Sequence, residues 1–233
     1  MTKQDYINEK INKLVQFWIG WAHFFGAFFF ISLSVMDYIA TRDNFADFIK
    51  YRLAGAVILT ILGILNQKKV SRRYQLFLIY TTSIISVSII EYMILHFGGH
   101  SSTYYAGFFI FVMVVVGFIP IDLKNSICIT LIAFLLYVLP ILIFDKLFNF
   151  NYFAMPLSFL LATFAIANIW RYLSQKRLLN ELSLQYDLAE EKGKLEKYST
   201  RLEDLVAERT KELSISEKRY RGLFENANDG IFK

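Results

Sequence analysis

One cysteine, three histidines and three prolines are all that this 233-residue chain holds of those types. The lone thiol, Cys128, lies in an apolar run, so neither an internal disulfide framework nor a cysteine-based metal site can form. His23, His96 and His100 all fall at or before position 100. The polar start MTKQDYINEKINK leads into a long apolar run without a small-residue cleavage site, so no cleaved signal peptide is expected. Charge is sparse up to Trp170 and dense from Arg171 onward. That change of character divides the chain.

What is abundant is apolar surface. The chain is 55% hydrophobic and 17% aromatic, with 23 Phe and 14 Tyr, against ~45–50% apolar residues in soluble domains. Six runs reach or approach the ~20 residues that a helix needs to cross hydrocarbon. They are Leu14–Tyr38, Phe48–Leu65, Gln75–Phe97, Tyr104–Ile121, Ser126–Phe144 and Phe150–Tyr172. The expected fold is an all-α polytopic membrane protein, a six-helix transmembrane bundle over 1–173 followed by a long cytoplasmic coiled-coil helix over 174–215. Lys50 and Arg52 fall in the first turn of the second run, where they are expected to snorkel to the headgroups.

Net charge is +5, but the basic residues cluster at the ends of apolar runs, where they orient a membrane protein instead of binding nucleic acid. One side carries Lys3, Lys10, Lys13, Lys68, Lys69, Arg72, Arg73, Lys124, Arg171, Lys176 and Arg177; the other carries Arg42, Lys50, Arg52 and Lys146. This imbalance puts both termini in the cytoplasm. The outer loops, Ile39–Asp47, Gly98–Thr103 and Asp145–Asn149, are too short for a folded domain. A stimulus must then be sensed in or beside the bilayer.

From Leu178 the pattern becomes that of a solvated helix. Leu188, Leu195 and Leu202 recur every seven residues, with Leu184 and Leu205 interleaved, and this predicts a heptad seam that pairs with a second copy. Glu191 and Arg209 sit at or near seam positions, and Gly193 costs ~1 kcal/mol relative to Ala. Such a seam suits a helix able to rotate or shift register; a monomeric solvated helix is the alternative.

The stretch LEDLVAERTKEL (Leu202–Leu213) resembles the connecting helix that precedes PAS domains in bacterial sensor histidine kinases. SEKRYRGLFENANDGIF (Ser216–Phe232) resembles the opening of a PAS domain, where a short amphipathic helix leads into the first strand. GGHSSTYYAG (Gly98–Gly107) is similar to part of the membrane sensor regions of such kinases. The resemblance implies a receptor of the bacterial inner membrane and a two-component system, with a homodimer and a response regulator as partners. Residues 216–233 hold only the start of a PAS domain, and the chain lacks a kinase's phospho-accepting His region, Asn-bearing nucleotide box and Gly-rich ATP lid. It is therefore expected to be the input half of a longer protein, without catalytic residues of its own. The same helix also precedes diguanylate cyclase domains in related receptors. A small transporter or channel is a further alternative, although the first and last three runs show no inverted-repeat similarity.

Ionisable groups inside apolar runs mark candidate sites. The candidate ligand-binding residues are Glu91, Tyr92, His96, His100, Asp37 and His23, and no metal or cofactor is expected. Ser88 and Tyr92 flank Glu91, which predicts a polar stripe facing into the bundle; a ligand, proton or cation site and simple interhelical hydrogen bonding both explain it. His23 and His96 differ in expected depth by ~18 Å at 1.5 Å rise per residue, too far for two axial ligands of one haem. Phe17–Phe30 is densely aromatic, with Gly20 and Gly26 allowing close approach. It is read either as the lining of a pocket for a lipid, quinone or fatty-acyl signal, or as a lipid-facing or dimer surface. Gly98–Gly99 predicts a tight turn. Pro120, Pro140 and Pro156 lie near the ends or outer halves of the last three runs, as kinks that free carbonyls in a cavity or as boundaries.

Overall fold

The computed structural model describes residues 2–40, 42–67 and 71–231. Lys68 and Lys69 of the charge count, and Phe232 in the expected PAS opening, lie outside the described residues. Every described element is helical, and no strand occurs among the described residues. The helices are α1 (Lys3–Ser32), α2 (Ser34–Ala40), α3 (Phe45–Asn66), α4 (Arg72–His96), α5 (Ala106–Val112), α6 (Leu123–Phe144) and α7 (Phe150–Ile231).

Five helical stretches are long and apolar enough to cross a membrane: Lys3–Ile39, Phe45–Asn66, Arg72–His96, Leu123–Phe144 and Phe150–Leu223. The run expected to be the fourth span is a shorter apolar helix, Thr103–Phe118. It is built from a 3₁₀ turn (Thr103–Tyr105), α5 and a π-helical segment (Met113–Phe118). Pro120 explains where it stops. A residue before proline is pushed out of the helical region, and Ile119 is extended, at φ −76° and ψ 124°. Pro140 and Pro156, by contrast, lie within α6 and α7.

Residues up to Leu182 form one unit and those from Ser183 a second. In the first, α1 opens with a capping box, the Asp5 N–H donating to Thr2 Oγ1 and the Thr2 N–H to Asp5 Oδ2. Helices α1 and α3 then approach closely where side chains are missing. A Cβ on Gly63 would lie 3.1 Å from His23 Cβ, and one on Gly26 3.1 Å from Leu59 Cδ1. Small residues let backbones come this near, and close packing then holds the pair. Gln16 and Asn66 close the seam reciprocally: Gln16 Nε2 donates to the Asn66 carbonyl at 3.0 Å, and Asn66 Nδ2 to the Gln16 carbonyl at 2.7 Å.

The main core lies between α1, α4, α5, α6 and the first part of α7, around Ile19, Val87, Ile94, Phe108, Tyr137 and Leu160. Rings from three of these elements meet there, with Phe108 edge-on to Tyr137 at 5.3 Å and Tyr137 stacked on Phe153 at 5.6 Å. Polar residues join α6 to α7. Asn168 Nδ2 donates to Thr130 Oγ1 at 3.0 Å, and its carbonyl accepts from Ser126 Oγ at 2.7 Å.

In the second unit α7 is a solvated helix. Leu184, Leu188, Leu195, Leu202 and Leu205 are all exposed. Glu191, expected to disturb their seam, shares Lys194 with Glu190, at 2.8 and 2.9 Å. The stretch expected to open a PAS domain continues α7 as far as Ile231.

Candidate functional site

The first unit contains a cavity of about 290 Å³ between α1, α4 and the Thr103–Phe118 helix, with α2 and α3 at one end. Its walls are apolar, formed among others by Phe30, Leu59, Met93, Ile110 and Phe111. Two polar clusters reach it. At one end Asp37, fully buried, is held by Arg52 through two parallel bonds, Nε to Oδ2 and Nη2 to Oδ1. The Tyr104 hydroxyl also donates to Asp37 Oδ1, at 2.6 Å. At the other end His23 Nδ1 lies 2.6 Å from the Ile19 carbonyl, and Nε2 lies 2.7 Å from Thr82 Oγ1. A carbonyl only accepts, so Nδ1 carries the hydrogen of the first bond.

Arg52 corrects the snorkelling expectation. Lys50 does reach outward, exposed beside Asp47 at 2.9 Å. Arg52, two residues on, is 6% exposed and turned into the bundle. Two positions advance a helix by ~200°, so neighbours in the first turn need not share a fate. A partial signal was available: Asp37 and Arg52 are opposite charges in adjacent runs, each within about a turn and a half of the loop that joins them.

The aromatic run divides between its two readings. Phe17, Trp21, Phe24, Phe25 and Phe28 are exposed on the outside of α1. The cavity takes the other face, through Ala22, His23, Gly26, Phe29, Phe30 and Leu33.

The six candidate residues do not form one site. Asp37 and His23 line the cavity. Tyr92 and His96 form a partly exposed stack, 4.0 Å between ring centroids, and Tyr51 donates from its hydroxyl to that of Tyr92 at 3.0 Å. The predicted polar stripe on α4 is absent, because Ser88 is exposed and Tyr92 turns to Tyr51, away from Glu91. Glu91 stands by itself. It is 4% exposed, neither carboxyl oxygen has a hydrogen bond among the described residues, and Tyr137 is within its electrostatic reach.

His100 belongs to the turn. Gly98 (φ +90°) and Gly99 (φ +52°) adopt left-handed conformations, as the glycine pair predicts. They aim both the His100 N–H (2.8 Å) and its Nδ1 (2.7 Å) at Asp145 Oδ2, a partner that sequence reasoning missed. Burial pushes the Asp145 carboxyl up, but the His100 backbone and ring bonds and the Leu147 N–H together hold it below its ordinary value of 3.8. Its stabilising contribution is therefore complete above about pH 4 and is lost as pH falls through the lowered folded value. The melting-temperature gap between the parent and Asp145→Asn should be widest near neutrality and close below pH 4; a gap unchanged from pH 7 to pH 3 would sink this assignment.

At the opposite end of the bundle a second missed group clasps α7. Arg171, 3% exposed, donates from Nη1 to the Ile119 carbonyl at 2.8 Å. Gln175 accepts the Leu123 N–H at 2.9 Å, covering an open donor at the start of α6. Ile119 is also a cavity-lining residue. Among the described residues no group of three or more His, Cys, Asp or Glu is placed to hold a metal. In comparisons with protein-family models, curated proteins and solved structures, the chain matches none.

Proposed function

We propose that this chain is the membrane-embedded input module of a bacterial sensor histidine kinase. Six segments cross the inner membrane with both termini in the cytoplasm, the short Thr103–Phe118 helix among them. A stimulus received in the bundle passes along α7 to an output domain that signals to a response regulator. The apolar helices, the bias of Lys and Arg, and the likeness of 202–232 to a connecting helix and PAS opening support this reading. The exposed leucines 188, 195 and 202 supply the seam for a second copy.

The observation that carries it is the Arg171 clasp. One residue, Ile119, belongs to the cavity wall and is bonded through its carbonyl to the base of the helix that leaves the bundle. A ligand that favours one position of that wall favours one position of Arg171. A preference of ~1–3 kcal/mol between two states suffices for useful coupling.

The test fuses the chain to a kinase core of known output, with one to four alanines inserted after Arg177. Each insertion turns the downstream helix by ~100°. Kinase activity should rise and fall with the phase of the helix and return towards the parent's at four insertions. Activity that ignores the number of insertions, or falls steadily with it, would remove the helical relay.

A further inference from the structure

We propose that the cavity binds one unbranched amphiphile with an uncharged, hydrogen-bonding head, its chain lying along α1 and α4 and its head beside Arg52. The signalling consequence rests on the input-module reading; the ligand assignment rests on the cavity alone.

Shape comes first. Lining positions recur every three or four residues along α4, at Ile79, Thr82, Ser86, Ile90 and Met93. At 1.5 Å per residue those fourteen steps cover ~21 Å. A volume of about 290 Å³ spread over such a length is a slot one chain wide. It lies at the lower end of the ~300–1,000 Å³ range of ligand pockets.

Polarity then sets the direction. At the His23 end both ring nitrogens are already engaged, by Ile19 and Thr82. The polar atoms of His23 are thus already matched, and that end receives the tail. At the other end Asp37 occupies Nε and Nη2 of Arg52 and leaves Nη1 as a donor on a cavity-lining side chain.

Charge sets the head. The charged side chains lining the cavity are Asp37 and Arg52, and they neutralise each other. An anionic head competes with Asp37 for the guanidinium; a cationic head competes with Arg52 for the carboxylate. Either breaks a buried, doubly bonded pair, which is strongly unfavourable. A hydroxyl or carbonyl accepts from Nη1 and leaves the pair whole.

The experiment measures saturable binding of labelled dodecanol to the purified chain in lipid nanodiscs, with dodecanoate and dodecyltrimethylammonium as competitors. One dodecanol per chain is expected, with both charged analogues at least about tenfold weaker. Ile110→Trp should fill the slot and abolish saturable binding while the chain keeps its melting transition. Equal competition by all three heads would mean simple partition into lipid, and tighter binding of dodecanoate would assign the head wrongly; either result overturns the proposal on the unmodified chain, whatever Ile110→Trp does. So would native mass spectrometry showing a phospholipid that dodecanol does not displace. Dodecanol binding without a change in the kinase fusion's output would instead retire the input-module reading and leave the site standing.

Discussion

Arg52→Met should lower the stability of the chain by ~3–5 kcal/mol, while the double variant Asp37→Leu/Arg52→Met should return to within ~1 kcal/mol of the parent. The single change takes both guanidinium bonds from a fully buried carboxylate. The Tyr104 hydroxyl at 2.6 Å is too little to replace them. The double change removes the charge along with its partner, and a well-packed apolar pair of similar volume avoids desolvating either ion. Arg52→Lys should fall between the two, because an ammonium is a point charge and does not make two parallel bonds to a carboxylate. Thermal unfolding in nanodiscs, followed by tryptophan fluorescence, orders the four proteins. A double variant no more stable than Arg52→Met would mean that packing, not charge, is what Arg52 supplies.

Gly99→Ala should be the most damaging single-methyl change in the bundle. The left-handed conformation costs an L-residue ~1–2 kcal/mol, and Gly99 has φ +52°. Its new Cβ would also collide with the Asp145 carboxylate, which is pinned from the other side by His100. Strain and collision together predict a loss of ~2–4 kcal/mol. Gly98→Ala also carries a backbone penalty, but its Cβ would meet nothing closer than the Ser101 hydroxyl at 3.3 Å, so the smaller effect belongs there. The measurement is the melting temperature of the two variants side by side. If Gly98→Ala were the worse, the collision with Asp145 would not be what decides.

The helices were legible because hydrocarbon length and apolar composition are properties of a linear run. The Phe17–Phe30 stretch shows where that reading stops: lipid and protein interior are equally apolar, so composition had no means of telling that Phe17, Trp21 and Phe25 face out while Gly26 and Phe30 face in. Glu91 was legible as a buried acid from its depth alone, yet the stripe drawn through Ser88 and Tyr92 failed, since helix faces and not neighbourhood decide contact. Pairings across long separations left no trace in the sequence. His100 and Asp145 are 45 residues apart, Arg171 and Ile119 52 apart, and both pairs sit in segments whose composition reads as boundary. The clasp in particular had no local signature, because its acceptor is a backbone carbonyl, which every residue has.

The π-helical segment at Met113–Phe118 has a consequence for how this chain tolerates change in its length. A π turn closes its hydrogen-bonded ring over one residue more than an α turn, so it stores a surplus residue at a defined place. Elsewhere in the bundle, removing one residue swings every later side chain by ~100° and exchanges core for surface. Within 113–118 the same removal can be absorbed by reverting to ordinary α-helix, with Phe108 and Phe111 before it and Ile119 after it still facing the cores they now fill. The shortest of the apolar helices is thus the one with slack in its register, and descendants of this sequence can lose a residue there without re-registering the rest.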